Sequence, residues 1–238
     1  MNVLNFLPRS WKENVRLRAG AITLSNRLRN LRRAGFRPRK IIDAGAFRGH
    51  WAHSVLEVFP EARVLLIEPQ SECQEILRKA ADADKRLSLR KTLLGKTSGE
   101  MRFLVEGSNS RVLTGDWSPG PGAKVETCPV ATLEGVAREE GFFDAELIKL
   151  DLQGHELEAL AGAGELFGRC ELFLVEVSWL RIGEVPLMHE VLRLFVDKGY
   201  QPYDILGHNY RRRDRALWQT DIMFARGDSP LIASREWA

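Results

Sequence analysis

The chain is poor in cysteine. Its three, Cys73, Cys128 and Cys170, are odd in number and widely spaced, which excludes a disulfide framework and a zinc knuckle. A reduced, cytoplasmic compartment is the simple expectation, with peripheral contact at a membrane left open. No run reaches the roughly 18 apolar residues of a membrane span. Residues 1–10 have neither a long apolar stretch nor a small-residue cleavage site, so no secretory signal is expected. Internal repeats and low-complexity tracts are absent from the sequence. So is the dinucleotide fingerprint G-x-G-x-x-G, and its absence argues against a nicotinamide-dependent oxidoreductase.

What remains is an ordinary globular composition. The 238 residues are 44% hydrophobic and 28% charged, enough for a single open α/β sheet with a sizeable core. Charge is unevenly placed. The net charge is +3, but residues 1–40 hold eleven Lys/Arg against one acid, Glu13, so that stretch carries +10 and the other 198 residues carry −7. Arg27, Arg29, Arg32 and Arg33 interleave with Leu24, Leu28 and Leu31, the pattern of a basic amphipathic helix. Through residues 9–40 it would suit an anionic surface such as a membrane. The plainer reading, and the preferred one, is a solvated helix packed by its leucines against the domain edge. No aromatic-rich RNA-binding signature accompanies the charge, so no nucleic-acid partner is expected.

Past Pro38 the pattern alternates. Strands are expected at 40–44, 63–68, 87–94, 147–151 and 171–177, and helices at 50–59, 71–83, 133–140, 156–162 and 186–198. Pro60 and Pro69 stop two of these elements, and Ser71 is placed to cap the helix after it. Residues 99–129 break the rhythm: short strands at 101–105 and 124–129 flank a Gly/Pro/Ser-rich loop, 107–122, of the length that is often functional. Segments 200–205 and 218–225 close the chain as an antiparallel pair around the loop 206–215. The expected architecture is α/β: a mostly parallel seven-stranded sheet with a C-terminal antiparallel hairpin, residues 39–238, behind a helical extension, residues 1–38.

Three of these strands end in acids. Asp43 precedes the small-residue turn Gly45-Ala46-Phe47-Arg48-Gly49, whose glycines let the backbone bend sharply and approach a ligand. Glu68 tips the second strand, where a carboxylate suits the two hydroxyls of a ribose, although a solvated or salt-bridged acid would read the same way. Asp151 tips a later strand and leads into Gly154-His155-Glu156. His155 titrates near neutral pH and is the first choice of general base, with a surface histidine at a helix start as the plain alternative. Glu156 could serve only the helix dipole. Glu176 lies inside an apolar strand, so it needs a partner or a view of the cleft. The run Arg211-Arg212-Arg213 reads as solvated charge.

The open sheet with its terminal hairpin is the layout of class I methyltransferases, with a Rossmann-like core. In its motifs the chain resembles the FkbM family of S-adenosylmethionine-dependent methyltransferases. Residues 42–49 look like that family's first motif. Residues 148–156 look like its lysine-x-aspartate-x-glutamate-glycine-x-glutamate motif, and Thr132-Leu133, Leu174-Val175-Glu176 and residues 217–224 follow in family order. The resemblance implies S-adenosyl-L-methionine as cofactor and a small hydroxylated acceptor, a sugar, polyketide or other secondary metabolite. It puts cofactor contact on Asp43, Ala44, Gly45, Ala46, Gly49 and Glu68, and makes Asp151, Gly154, Glu156 and Glu176 candidate site positions. Asp151, His155 and Glu176 are the catalytic candidates, with no metal ligand assigned. Two departures stand out. Phe47 replaces a common asparagine, removing a polar contact to the cofactor, and Gln153 replaces the usual glutamate, weakening any metal or base role there. A homo-oligomer is compatible with this reading. A non-catalytic module that docks to membrane or RNA through the basic N-terminus is its rival.

Overall fold

A computed structural model describes residues 23–113, 120–183 and 185–234. The main sheet has seven strands in the order β3-β2-β1-β8-β9-β11-β10. They are β1 (Lys40–Ala44), β2 (Arg63–Ile67), β3 (Leu87–Arg90), β8 (Leu147–Leu150), β9 (Leu172–Ser178), β10 (Tyr200–Tyr210) and β11 (Leu217–Arg226). β1 pairs in parallel with β2 on one side and β8 on the other, while β11 alone runs against its neighbours. The order of strands therefore reverses at β1, and the crevice beyond the carboxyl ends of β1, β2 and β8 is where such sheets bind ligands.

The central strands are continuous apolar runs because both faces are covered. On one face Ile42, Leu65, Ile67, Ile148, Leu150 and Phe173 meet helices α4 (Leu133–Glu139), α5 (Glu156–Ala161) and α6 (Met188–Asp197). On the other, Ile41, Val64, Leu66, Leu147 and Leu172 meet α1 (Leu24–Arg33), α2 (His50–Val58) and α3 (Ser71–Ala83). The alternation of neighbouring residues between faces is the period of two expected of a strand. Two buried charged side chains interrupt it, Asp43 and Lys149, which stand opposite one another across the β1–β8 pair.

Helix α1 packs as part of this second face. Thr23 caps it by accepting from the Asn26 N–H, and Leu28 and Leu31 are buried beside Phe36 and Phe59. Its arginines are partly engaged. Arg32 donates to the Val58 carbonyl at the end of α2, and Arg27 lies 3.5 Å from Asp204. Arg37, just past the helix, donates to the carbonyls of Arg32 and Phe36. A cation at a helix carboxyl end is a favourable placement. For residues 23–38 the packed-helix reading thus holds; the rest of the basic stretch, residues 1–22, lies outside the described residues.

Four expectations need correction. The run 87–94 is two strands, not one. β3 ends at Arg90, and β4 (Leu93–Leu94) turns away to pair with Val130 and Ala131 in a second, four-stranded sheet. That sheet has the order β4-β7-β5-β6, with β5 (Gly99–Val105), β6 (Arg111–Val112) and β7 (Lys124–Ala131). The loop expected at 107–122 contributes β6 to it, and residues 114–119 lie outside the description. The loop expected at 206–215 is mostly strand, with β10 running on to Tyr210 and only residues 211–216 left as the turn. Ser71 is the first helical residue rather than the cap, which is Gln70; its hydroxyl donates to Glu126 instead. The three cysteines are buried and unbonded. No helix among the described residues is long and apolar enough to cross a membrane.

Candidate active site

The cleft lies between the carboxyl ends of β1, β2 and β8 and the inner face of the second sheet. It holds about 770 Å³ of empty space including its open mouth. Its apolar wall comes from Ile67, Pro69, Leu93, Leu94, Phe103 and Val112, and its polar edge includes Glu68, Gln70, Ser110, Asp151 and Gln153. The second sheet, unforeseen from sequence, thus supplies one side of the site.

The turn after β1 touches the cleft through Gly45 and Phe47. Gly45 has φ 79°, and a Cβ there would lie 1.9 Å from the Asp151 carbonyl oxygen, so only glycine lets the turn close against the tip of β8. Phe47 has φ 48°, a left-handed conformation in which a bulky side chain is strained. It is held there by its N–H, which donates to Glu68 Oε2 at 2.7 Å. The other Glu68 oxygen accepts from the Gln70 N–H at 3.0 Å. Glu68 is 2% exposed, and burial pushes its carboxyl up while these two hydrogen bonds pull it back down. Glu68 also lines the cleft, and each oxygen has acceptor capacity beyond its backbone bond. Glu68 therefore braces the turn as well as facing the site.

The second polar group crosses four strand tips. Lys149 Nζ lies 3.2 Å from Asp43 Oδ1, 3.4 Å from Asp151 Oδ2 and 3.4 Å from the Gly45 carbonyl. Gln153 donates to Asp151 at 2.9 Å and to Glu176 at 3.2 Å, and Gln219 donates to the same Glu176 oxygen at 2.9 Å. Asp221 stands opposite Glu176 across the β9–β11 pair. Burial, then the neighbouring Asp151, Glu156 and Asp221 carboxylates, push the Glu176 carboxyl up to about 9, so it is held as the neutral acid at pH 7. Burial also raises Asp221. Lys149 stays charged: burial works against it, and the Asp43 and Asp151 carboxylates outweigh that.

The turn after β8 repeats the left-handed geometry, with Gln153 at φ 53° and Gly154 at φ 98°. Glu156 holds it, accepting from the N–H groups of Leu152 at 2.8 Å and Gly154 at 3.2 Å. Burial lifts the Glu156 carboxyl to about 7. Its work is local: it shapes the loop that presents Asp151 and Gln153.

Of the residues expected in the site, Gly45, Glu68, Asp151 and His155 line the cleft, whereas Asp43, Ala44, Ala46, Gly49 and Glu176 do not. Asp43 is fully buried, with its Oδ1 on Lys149 and its Oδ2 without a partner among the described groups. Gly49, at φ 77°, caps α2, and the Ala44 carbonyl accepts from the Asp151 N–H, so both act as frame. His155 is 6% exposed, and burial lowers its pKa, leaving the imidazole neutral. Its Nε2 is buried without a partner among the described groups, so that nitrogen is not presented to an acceptor. This weighs against His155 as the base. Sequence reading passed over Lys149, Gln219 and Asp221. Lys149 carried the same signal that marked Glu176, a charge inside an apolar strand. Among the described residues, no cluster of three or more His, Cys, Asp or Glu side chains is placed to hold a metal.

The sequence model of the methyltransferase FkbM domain matches residues 43–202, which is more than half of the chain. The chain belongs to the FkbM methyltransferase family. This family match runs from the acid of the first turn to the start of β10, so it takes in both turns and the second sheet. The chain is also 27% identical to methyltransferase sdnD of Sordaria araneosa, covering 76% of this chain and 77% of that protein. Solved structures of similar outline include magnesium protoporphyrin IX methyltransferase of Synechocystis, at 12% identity and TM-score 0.48, covering 85% of this chain and 77% of that one. Another is 1,6-didemethyltoxoflavin-N1-methyltransferase of Burkholderia thailandensis, at 13% identity and TM-score 0.48, covering 91% and 84%. Within the FkbM family, the two departures of this chain, Phe47 for asparagine and Gln153 for glutamate, both fall on left-handed backbone. Asparagine tolerates that conformation better than phenylalanine does.

Proposed function

We propose that this methyltransferase moves the methyl group of S-adenosylmethionine to a hydroxyl oxygen of a small acceptor such as a sugar or polyketide. The residues fit the cofactor. Gly45 allows close backbone approach, Glu68 offers carboxylate lone pairs for ribose hydroxyls, and the wall of Leu93, Phe103 and Val112 suits a purine. When bound, S-adenosylmethionine supplies a methyl group made electrophilic by its sulfonium.

The observation that carries the choice of a hydroxyl is the network Asp151–Gln153–Glu176–Gln219 beside the cleft. Carboxylates and carboxamides set side by side offer the acceptors and donors that hydroxyl groups require. The acceptor oxygen would receive the methyl carbon that the cofactor supplies, with the sulfur leaving as a neutral thioether. Asp151, on the cleft beside Lys149, takes the hydroxyl proton. Gln153, on the cleft and held by Glu176 behind it, orients the acceptor, and alignment supplies much of the rate.

The test begins with calorimetric titration by S-adenosylhomocysteine, with NADH as control. Binding of the former alone is expected, followed by methylation of hydroxylated acceptors that is lost in Asp151→Asn. Binding of NADH alone would revive the oxidoreductase reading, and methylation of amines but not hydroxyls would overturn the choice of oxygen.

A further inference from the structure

Lys149 sits at a junction that no part of the proposed reaction uses directly. It is 7% exposed, in the middle of a central strand, where a lone ammonium would be costly. Its ammonium donates to Asp43 Oδ1 at 3.2 Å and to the Gly45 carbonyl at 3.4 Å, and it pairs with Asp151 Oδ2 at 3.4 Å. These belong to the tip of β1, the cofactor turn and the tip of β8. The Trp51 ring of α2 closes one side, with its centroid 5.7 Å from Nζ. One buried cation therefore ties the turn that approaches the cofactor to the carboxylate that faces the acceptor.

The charge count is as informative as the geometry. Burial raises the Asp43 carboxyl and the Lys149 ammonium pulls it back; with Asp43 and Asp151 as carboxylates around Lys149 the cluster carries one net negative charge. The carboxyls next nearest to Asp151 are Glu176, Asp221 and Glu156, and burial works against ionising each of them. S-adenosylmethionine carries one net positive charge and loses it when the methyl group leaves. Two uncompensated carboxylates at this point would hold the charged donor more tightly than the discharging transition state, which raises the barrier.

Resting on the methyl-transfer reading above, we propose that Lys149 is a positioning residue. Its ammonium anchors the cofactor turn to Asp151 and trims the local charge to one net negative, so that the cleft prefers the charged methyl donor over its neutral product by only a moderate factor.

The experiment titrates wild type, Lys149→Met, Asp43→Asn and the double variant with S-adenosylmethionine and S-adenosylhomocysteine, at one pH and low salt. The readout is the ratio of the two Kd values. Asp43→Asn removes a negative charge from the site, so the preference for the charged donor should fall about three- to tenfold; in Lys149→Met the buried Asp43 loses the cation that favours its ionised form, so both affinities should drop for want of the anchor and the ratio should move less than in Asp43→Asn. The double variant restores the wild-type count, so its ratio should stay within about twofold of wild type. Both its affinities should still drop about tenfold for want of the anchor. A purely structural role predicts that both ligands weaken in parallel in every variant. A constant ratio in Asp43→Asn therefore overturns the charge-setting role, and full affinity in the double variant overturns the anchoring role. If Lys149→Met does not fold, Asp43→Asn and the double variant, both without an unpaired buried carboxylate at position 43, carry the same comparison. A wild-type protein that binds neither ligand would sink the cofactor reading instead, a result distinct from either.

Discussion

The two turns that build this site, one after β1 and one after β8, look alike and are held differently. Each contains a non-glycine residue at positive φ, Phe47 in the first and Gln153 in the second, next to glycines in the same region. Each is braced by a buried carboxylate that accepts backbone N–H groups. In the first turn the brace is Glu68, from a neighbouring strand 21 residues away. In the second it is Glu156, from the helix that the turn itself begins. The first turn is therefore a tertiary object, whose shape depends on β1 and β2 lying side by side. The second is nearly self-contained. A brace that also faces the cleft can serve ligand and backbone together, as Glu68 does. A brace enclosed in its own loop serves the backbone alone.

The sharpest way to break the first turn is Gly45→Ala. The added Cβ would meet the Asp151 carbonyl at 1.9 Å, and φ 79° is itself unfavourable for alanine. A loss of about 3 kcal/mol or more in stability and loss of S-adenosylhomocysteine binding are expected, read by denaturant unfolding and calorimetry. Cutting each brace then separates the two turns. Glu68→Ala should weaken S-adenosylhomocysteine at least about tenfold, because ribose partners and the Phe47 brace go together. Glu156→Ala should leave that affinity within about threefold while destabilising the fold by about 2–3 kcal/mol, because two backbone N–H groups lose their acceptor. Equal losses of affinity in the two variants would show that the turns behave as one unit.

A subtler contrast lies in pH. The Glu156 carboxyl is raised by burial from 4.5 to about 7, so the folded protein holds a proton that the unfolded chain releases in that window. Stability then falls as pH rises from about 4.5 through about 7, by up to about 3 kcal/mol from this group. Glu156→Gln keeps an acceptor oxygen and cannot ionise. Its stability should change less over that window, as followed by thermal unfolding at pH 5 and pH 8. The smallest effect concerns strain. Phe47→Asn should relieve part of the left-handed penalty, adding about 0.5–1 kcal/mol and raising Tm by a few degrees.

Much of the fold was legible because the central strands are buried on both faces. Ile41-Ile42, Val64-Leu65-Leu66-Ile67 and Leu147-Ile148 read as strands for the same reason that they pack as strands. The run 87–94 misled because β3 and β4 follow one another almost without a break yet belong to different sheets. Nothing local marks the point where the chain leaves one sheet for another. The terminal hairpin looked shorter than it is because Gly207, Asn209 and the arginines beyond read as a loop, while pairing with β11 extends the strand to Tyr210. In the site, Gly45, Glu68 and Asp151 were legible as polar or small residues at strand ends. Lys149, Gln219 and Asp221 went unassigned because their partners lie on other strands, Asp43 from Lys149 by 106 residues and Glu176 from Gln219 by 43.

The sequence by itself determined the alternation of strands and helices, the acid-tipped strands, the glycine that the first turn requires and the family pattern. These depend on local periodicity and short motifs, which a chain carries without reference to distant residues. Only the tertiary structure decided which acids face the cleft and which are sealed. Asp43 turns inward to Lys149, Glu156 serves its own loop, Glu68 does two things at once, and the second sheet forms the far wall. Burial and pairing settle the role of a charged group, and both are set by neighbours that the fold brings together from elsewhere in the chain.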